Sequence, residues 1–224
     1  MSNNSNSELE YIEIETGSQP DAAVIWLHGL GASGDDFVPI VPELDLPADP
    51  GIRFIFPHAP MLPVTVNDGM VMPAWYDILE MSIERKVDQT QLEYSARAVL
   101  DLVEAQIAKG IASERIILAG FSQGGAVAYE AGLSCPHKLA GLMALSTYFA
   151  TQDSIQLNPA NSKLSIAVYH GIYDPVVPEA LGQQACAKLR QLGYSPEYWT
   201  YPMEHAVCPA QILEMSEYIQ RCLV

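Results

Sequence analysis

Short apolar runs alternate along the chain with longer stretches in which apolar residues recur at helical spacing. Leu9 to Glu15 (LEYIEIE) alternates apolar and polar positions, the pattern of an edge strand with one face in water. Ala22 to Leu27 (AAVIWL) is apolar throughout and predicts a buried strand, as does Ile52 to Phe56, with Asp35 to Val41 a short helical candidate between them. Asp88 to Lys109 places Leu92, Ala96, Val99, Leu100, Val103 and Ile107 on one stripe with charged residues between, a long amphipathic helix closed by Gly110. Arg115 to Ala119 lacks polar alternation after its first residue, as expected of a central strand covered on both faces, and an Ala/Gly-rich helical run, Gly125 to Ser134, follows it. Leu139 to Leu145 and Leu164 to His170 predict further core strands. Glu179 to Leu192 and Pro209 to Leu223 predict amphipathic helices around a short strand, Glu197 to Tyr201. Strands alternating with helices over the whole length predict an α/β fold whose parallel sheet is covered by helices on both faces.

One segment breaks the rhythm. Pro57 to Asp77 (PHAPMLPVTVNDGMVMPAWYD) has too many prolines for a long helix, while Met61, Leu62, Met70, Met72 and Trp75 are too apolar for a purely solvated loop. It either folds over a pocket as a lid or caps the core. Nothing in the 224 residues marks a linker or a repeat, so a single domain is expected, preceded by a flexible polar leader over residues 1–8.

Composition narrows the function classes. Twenty-seven acidic residues against 11 basic ones give a net charge of −16, which argues against nucleic-acid partners because phosphate binding needs clustered Lys and Arg. The four cysteines, Cys135, Cys186, Cys208 and Cys222, are scattered and show no CxxC pairing, so reduced thiols and no metal are expected. The leader is polar and acidic, and no apolar run is long enough to span a bilayer. The expectation is a cytoplasmic chain without stable membrane insertion.

The chemistry gathers at strand ends. Gly120-Phe121-Ser122-Gln123-Gly124 is GxSxG placed between an apolar strand and a helix, the context in which a serine is held on a tight turn with its hydroxyl exposed. The flanking glycines suit a strained, crowded backbone. The N–H of Gln123 and the helix N-terminus are aimed at developing negative charge. A serine alone is a poor nucleophile and needs a base and a group to orient it. On this type of sheet the chain order is Ser, then acid, then His. Asp174 follows a core strand in His170-Gly171-Ile172-Tyr173-Asp174-Pro175, and His205 lies in the loop between the last strand and the last helix. His28 and His58 precede the serine and His137 sits beside the elbow helix. Order alone does not bar His170, but a base that follows the acid must be His205. His28 begins the glycine-rich loop His28 to Gly34 after a core strand and reads as a structural ring bonded to loop backbone. The N–H of Leu30 in the same loop is the candidate second oxyanion donor.

HGLGASGDDF, MPAWYD, GFSQGG, HGIYDPVVP and YPMEHAVCP occur in this order over nearly the whole chain. With them the sequence resembles the acyl-protein thioesterase and carboxylesterase family of α/β-hydrolases. The resemblance implies a single-domain α/β-hydrolase fold with a mostly parallel central sheet and an antiparallel N-terminal edge. It implies Ser122 as nucleophile, His205 as base, Asp174 as its orienting partner, and the N–H groups of Leu30 and Gln123 as the oxyanion hole. Met72 and Trp75 of MPAWYD are implied as borders of an acyl-binding groove. Leu62 of the same loop and Val177 of HGIYDPVVP join them as candidate substrate contacts. Ala206 departs from the serine that often follows the histidine in such proteins, a position outside the catalytic set.

The activity so expected is hydrolysis of acyl esters or thioesters through an acyl-serine, with no cofactor. Small soluble esters, lysophospholipids and acylated proteins all remain as substrates. A peptidase, or a non-catalytic binding protein on the same fold, is the rival reading. The oligomeric state is open, a homodimer included.

Overall fold

The computed structural model describes residues 9–81 and 85–224. The leader over residues 1–8 lies outside them. In chain order the strands are β1 (Tyr11–Glu15), β2 (Pro20–Leu27), β3 (Gly51–Pro57), β4 (Met61–Val64), β5 (Met70–Pro73), β6 (Ile78–Glu80), β7 (Lys86–Val87), β8 (Ile116–Phe121), β9 (Gly141–Leu145), β10 (Ile166–Gly171) and β11 (Glu197–Tyr201). The α-helices are α1 (Ile40–Glu43), α2 (Gln89–Ala108), α3 (Gln123–Ser134), α4 (Glu179–Gln191) and α5 (Pro209–Leu223).

Seven strands form one sheet in the order β1-β3-β2-β8-β9-β10-β11. Only β1 runs antiparallel, pairing Tyr11 with Pro57 and Glu15 with Arg53 at the edge; the other pairs are parallel. Successive side chains of a strand point to opposite faces, and both faces here are apolar. Ala23, Ile25 and Leu27 of β2, with Ile116 and Leu118 of β8, pack against the inner stripes of α2, α3 and α4. Ala22, Val24 and Trp26, with Ile117 and Ala119, meet Ile40, Val41 and Leu44 of the α1 region and Met215, Ile219 and Leu223 of α5. That double coverage is why these strands read as continuous apolar runs, and why β1, with one wet face, alternates. Asp88 caps α2 by accepting from the Gln91 N–H at 3.0 Å.

The proline-rich segment divides between its two readings. β4 and β5 form a separate antiparallel hairpin with Met61 opposite Pro73, while Ala74, Trp75 and Tyr76 are buried in the core. β6 and β7 pair antiparallel as a second small sheet. Among the described residues, no helix is long and apolar enough to cross a membrane.

Candidate active site

Ser122 sits between β8 and α3 with φ 53° and ψ −119°, a backbone conformation that an L-residue holds only under constraint. The constraint is visible on every side. The Ser122 N–H donates to Leu145 O at 2.9 Å, and its carbonyl accepts from the Gly125 N–H at 3.0 Å and from the Thr147 hydroxyl at 2.6 Å. A side chain on Gly120 would begin 2.3 Å from Gly124 O, and one on Gly124 would begin 2.5 Å from His28 O, so helix α3 is drawn tight against β8 and the end of β2. The Ser122 side chain makes no cap bond to the helix. Gln123 opens α3, so its N–H belongs to the first turn, where no intrahelical acceptor exists.

The buried Gln123 side chain ties this elbow to the segment after β5. Its Oε1 accepts from the Trp75 N–H at 2.8 Å and its Nε2 donates to Tyr76 O at 2.7 Å. The Trp75 indole N–H donates to His28 O at 2.8 Å. His28 itself is buried, accepts at Nε2 from the Ala59 N–H at 3.0 Å, and has Nδ1 2.7 Å from Gly29 O. An accepting Nε2 fixes the proton on Nδ1. Burial lowers its pKa against the raising effect of the Gly29 carbonyl, so the ring is neutral and structural. In the loop it begins, the Gly31 N–H donates to Pro73 O at 2.8 Å and the Ala32 N–H to Gly29 O at 3.3 Å, leaving Leu30 on the wall of the cavity described below.

Asp174 and His205 come from the ends of β10 and β11. Oδ1 of Asp174 accepts from the N–H groups of Val176 (2.9 Å) and Val177 (2.8 Å), and Oδ2 lies 2.6 Å from His205 Nδ1. Burial pushes the Asp174 pKa up, but the hydrogen bonds from His205, Val177 and Val176 outweigh it, and the carboxyl lies below its ordinary value. An ionised Asp174 is acceptor-only, so His205 carries its proton on Nδ1 and leaves Nε2 free to accept another. The two loops are stapled together: the Tyr173 N–H donates to Met203 O at 3.1 Å, and a side chain on Gly171 would meet the carbonyls of Met203 and Glu204 at 2.4 Å. The His205 ring packs on Phe121 with centroids 4.7 Å apart. His170, the other histidine the chain order allows, is wholly buried behind Asp174 with Nε2 2.8 Å from Val177 O, out of reach of a substrate.

Ser122, Gln123, Leu30 and His205 line one cavity of about 800 Å³. Its apolar wall comes from Phe37, Val66, Ile78, Phe121, Val176 and Val207, and Tyr148 and Arg85 close one side. None of the four expected substrate contacts is part of this wall. Val177 is fully buried in the core, its N–H committed to Asp174, and the neighbouring Val176 faces the cavity instead. Trp75 is 1% exposed and spends both N–H groups on the Gln123–His28 scaffold. Leu62 and Met72 are cross-strand partners on the β4–β5 hairpin, which reaches the cavity through Val66 and Asn67 at its turn. The wall residues that were missed do carry a signal: Phe37, Val176 and Val207 lie within the motifs that supply Leu30, Asp174 and His205, and Tyr148 follows the C-terminal end of β9. Among the described residues no group of three or more His, Cys, Asp and Glu is placed to hold a metal ion.

A mostly parallel sheet with a strained serine at a strand–helix elbow, and on the same cavity a histidine backed by a buried aspartate, defines an α/β-hydrolase. The chain belongs to the phospholipase/carboxylesterase family, whose model matches residues 9–223. It is 34% identical over 235 aligned positions to acyl-protein thioesterase 1 of Gibberella zeae, covering 98% of each chain. Over 237 positions it is also 34% identical to acyl-protein thioesterase 1 of Cryptococcus neoformans var. neoformans serotype D, covering 97% of this chain and 99% of that protein. The crystal structure of SOBER1 of Arabidopsis thaliana superposes with a TM-score of 0.85 at 28% identity, over 91% of this chain and 99% of that one. Acyl-protein thioesterase 2 of Zea mays shares the fold with a TM-score of 0.84 at 24% identity, over 96% of this chain and 99% of that one.

Proposed function

We propose that the protein is a serine hydrolase that cleaves acyl esters or thioesters, with Ser122 as nucleophile, His205 as general base and Asp174 as the group that orients it. The observation that carries this reading is that His205, on the wall of the cavity that also holds the elbow serine, is paired at 2.6 Å with the buried Asp174 behind it. His205 Nε2 takes the Ser122 proton as Oγ attacks the acyl carbonyl. The oxyanion is held by the N–H groups of Leu30 and Gln123, each such donor lowering a barrier by about 2.7 to 4 kcal/mol. Collapse breaks the bond to the alcohol or thiol, which leaves with the proton from His205. Water then attacks the acyl-serine with His205 again as base, and free acid and Ser122 are restored. No cofactor takes part in these steps.

Relatives named acyl-protein thioesterases make an acyl thioester the substrate class favoured here. A cytoplasmic location belongs to the same proposal and agrees with four free cysteines. So does the absence of a nucleic-acid partner, which the acidic surface disfavours. The homodimer expectation attaches to the exposed Met61, Met70 and Val71 of the β4–β5 hairpin, and sedimentation of the purified chain tests it.

The decisive experiment is a fluorophosphonate probe with the modified residue located by mass spectrometry, in native and pre-denatured samples. Labelling of Ser122 in the native sample alone is expected. A folded protein that stays unlabelled overturns the hydrolase reading and leaves a binding protein on the same fold.

A further inference from the structure

The Ser122 cavity has a neighbour of similar size, about 830 Å³, and the two share Arg85 and Tyr148 in their walls. Arg85 stands before β7, and its guanidinium reaches across to the connection between β10 and α4, where Nη2 donates to Val176 O. The charged group lies over the Tyr148 ring, with Cζ 4.9 Å from the centroid. Nη1 is 3.4 Å from Met81 Sδ, and Nε is buried without a hydrogen-bond partner among the described residues. Tyr148 gives this cation a fixed floor, because it is 5% exposed and its hydroxyl lies 2.7 Å from that of Tyr76, a core residue. Arg85 thus stands in the wall that the two spaces share, bonded across it to the connection between β10 and α4.

Chemistry decides what such a span does to an acyl chain. From Ser122 outward the cavity offers Phe121, Val66 and Ile78, against which methylenes gain by leaving water. At Arg85 the gain stops. A methylene pressed against a guanidinium edge displaces no apolar surface, and pushing the group aside strips its bond to Val176 O and its seat on Tyr148. Past it lie Leu79, Val87, Phe149 and Leu181 of the second cavity, apolar surface that a chain cannot use while the cation stays in place.

We propose that Arg85, seated on Tyr148, is a specificity-determining partition that ends the acyl site short of the second cavity, so that the protein favours acyl chains that stop at the guanidinium and discriminates against longer ones. The inference rests on the hydrolase reading given above. Its test is kcat/KM for a series of straight-chain p-nitrophenyl esters from acetyl to dodecanoyl, on the full chain and on Arg85→Ala. For the unaltered protein the expectation is a rise of about fourfold per buried methylene up to a break, and a fall beyond it. Arg85→Ala moves the break to longer chains and raises the ratio of dodecanoyl to butanoyl ester by about tenfold or more, as two or more further methylenes become buried. The same break in both proteins overturns the partition. So does a rate that climbs unbroken to dodecanoyl in the unaltered protein, a result that holds even where Arg85→Ala fails to fold. Fluorophosphonate labelling separates the two levels: no label on Ser122 in the unaltered protein removes the hydrolase reading itself, whereas labelling with an unmoved break removes only the role of Arg85.

Discussion

At Ser122 the strain is in the backbone and the proposed function is in the hydroxyl, so the two can be separated. Alanine carries the same Cβ at φ 53°, and the serine hydroxyl makes no cap bond to lose. Ser122→Ala is therefore expected to melt within about 0.5 kcal/mol of the unaltered protein. Ester turnover is expected to fall on the order of a million-fold, as in triad hydrolases stripped of the serine. Turnover near the original rate would remove Ser122 from the mechanism. Asp174→Asn tests a different property. The amide keeps an oxygen for the Val176 and Val177 N–H groups but turns a donor toward His205, which reverses the tautomer. The expected loss is about 10⁴-fold with the fold intact, and an unchanged rate and pH profile would exclude Asp174. The placement of Ser122, Asp174 and His205 was legible in the sequence, because each follows the end of a sheet strand in the chain order proposed for them. The lining of the cavity was not. Whether Val176 or Val177, Trp75 or Val66 faces a cavity depends on which loop residue the hydrogen-bond network takes inward, and apolar character is the same in either case.

Elements differ in the same way, by whether their partners are local. The sequence predicts β11 and α5 to the residue and β2, α2 and α4 to within a residue or two, since apolar runs and amphipathic stripes are written into the chain itself. The β4–β5 hairpin and the β6–β7 pair are strands that the sequence pattern does not predict. Pro63 and Pro73 demote the first, and the second is too short to show a period. The elbow helix begins at Gln123, two residues before the Gly125 that the sequence predicts, because a pair of glycines looks like loop until its packing is known. That packing can be tested inside one helix. A side chain on Gly124 would meet main-chain carbonyls of Leu27 and His28 at 2.6 and 2.5 Å, atoms that cannot move without opening the elbow. On Gly132, two turns on, it would meet only the Leu142 and Leu118 side chains at 3.5 to 3.8 Å. Gly124→Ala is expected to cost about 1–3 kcal/mol or more. Gly132→Ala is expected to stabilise by about 0.5–1 kcal/mol through helix propensity. Thermal melting of the pair decides it, and equal effects would mean that α3 does not press on β2 as described.

For the whole molecule, acid acts through two opposed contributions. Protonating carboxylates relieves the self-repulsion of a chain with a net charge of −16, which favours the compact state and is screened by salt. Buried groups work the other way. His28 and His170 have pKa values lowered chiefly by burial, so between the folded value and the unfolded one of about 6.5 the unfolded chain binds more protons. Stability then rises with pH in that window: the contribution is fully present above about pH 6.5 and is lost as pH falls through the folded pKa. Asp174, also lowered, adds stability that is present above about pH 3.9 and lost as pH falls through its folded value, a separate and more acid step. At high salt, where repulsion is screened, the melting temperature is expected to start falling just below pH 6.5, before the carboxylates titrate. His28→Gln, able to donate to Gly29 O and accept from Ala59 N, is expected to flatten that first decline while lowering the plateau. A decline of the same slope in the variant would mean that His28 is not held neutral by its burial.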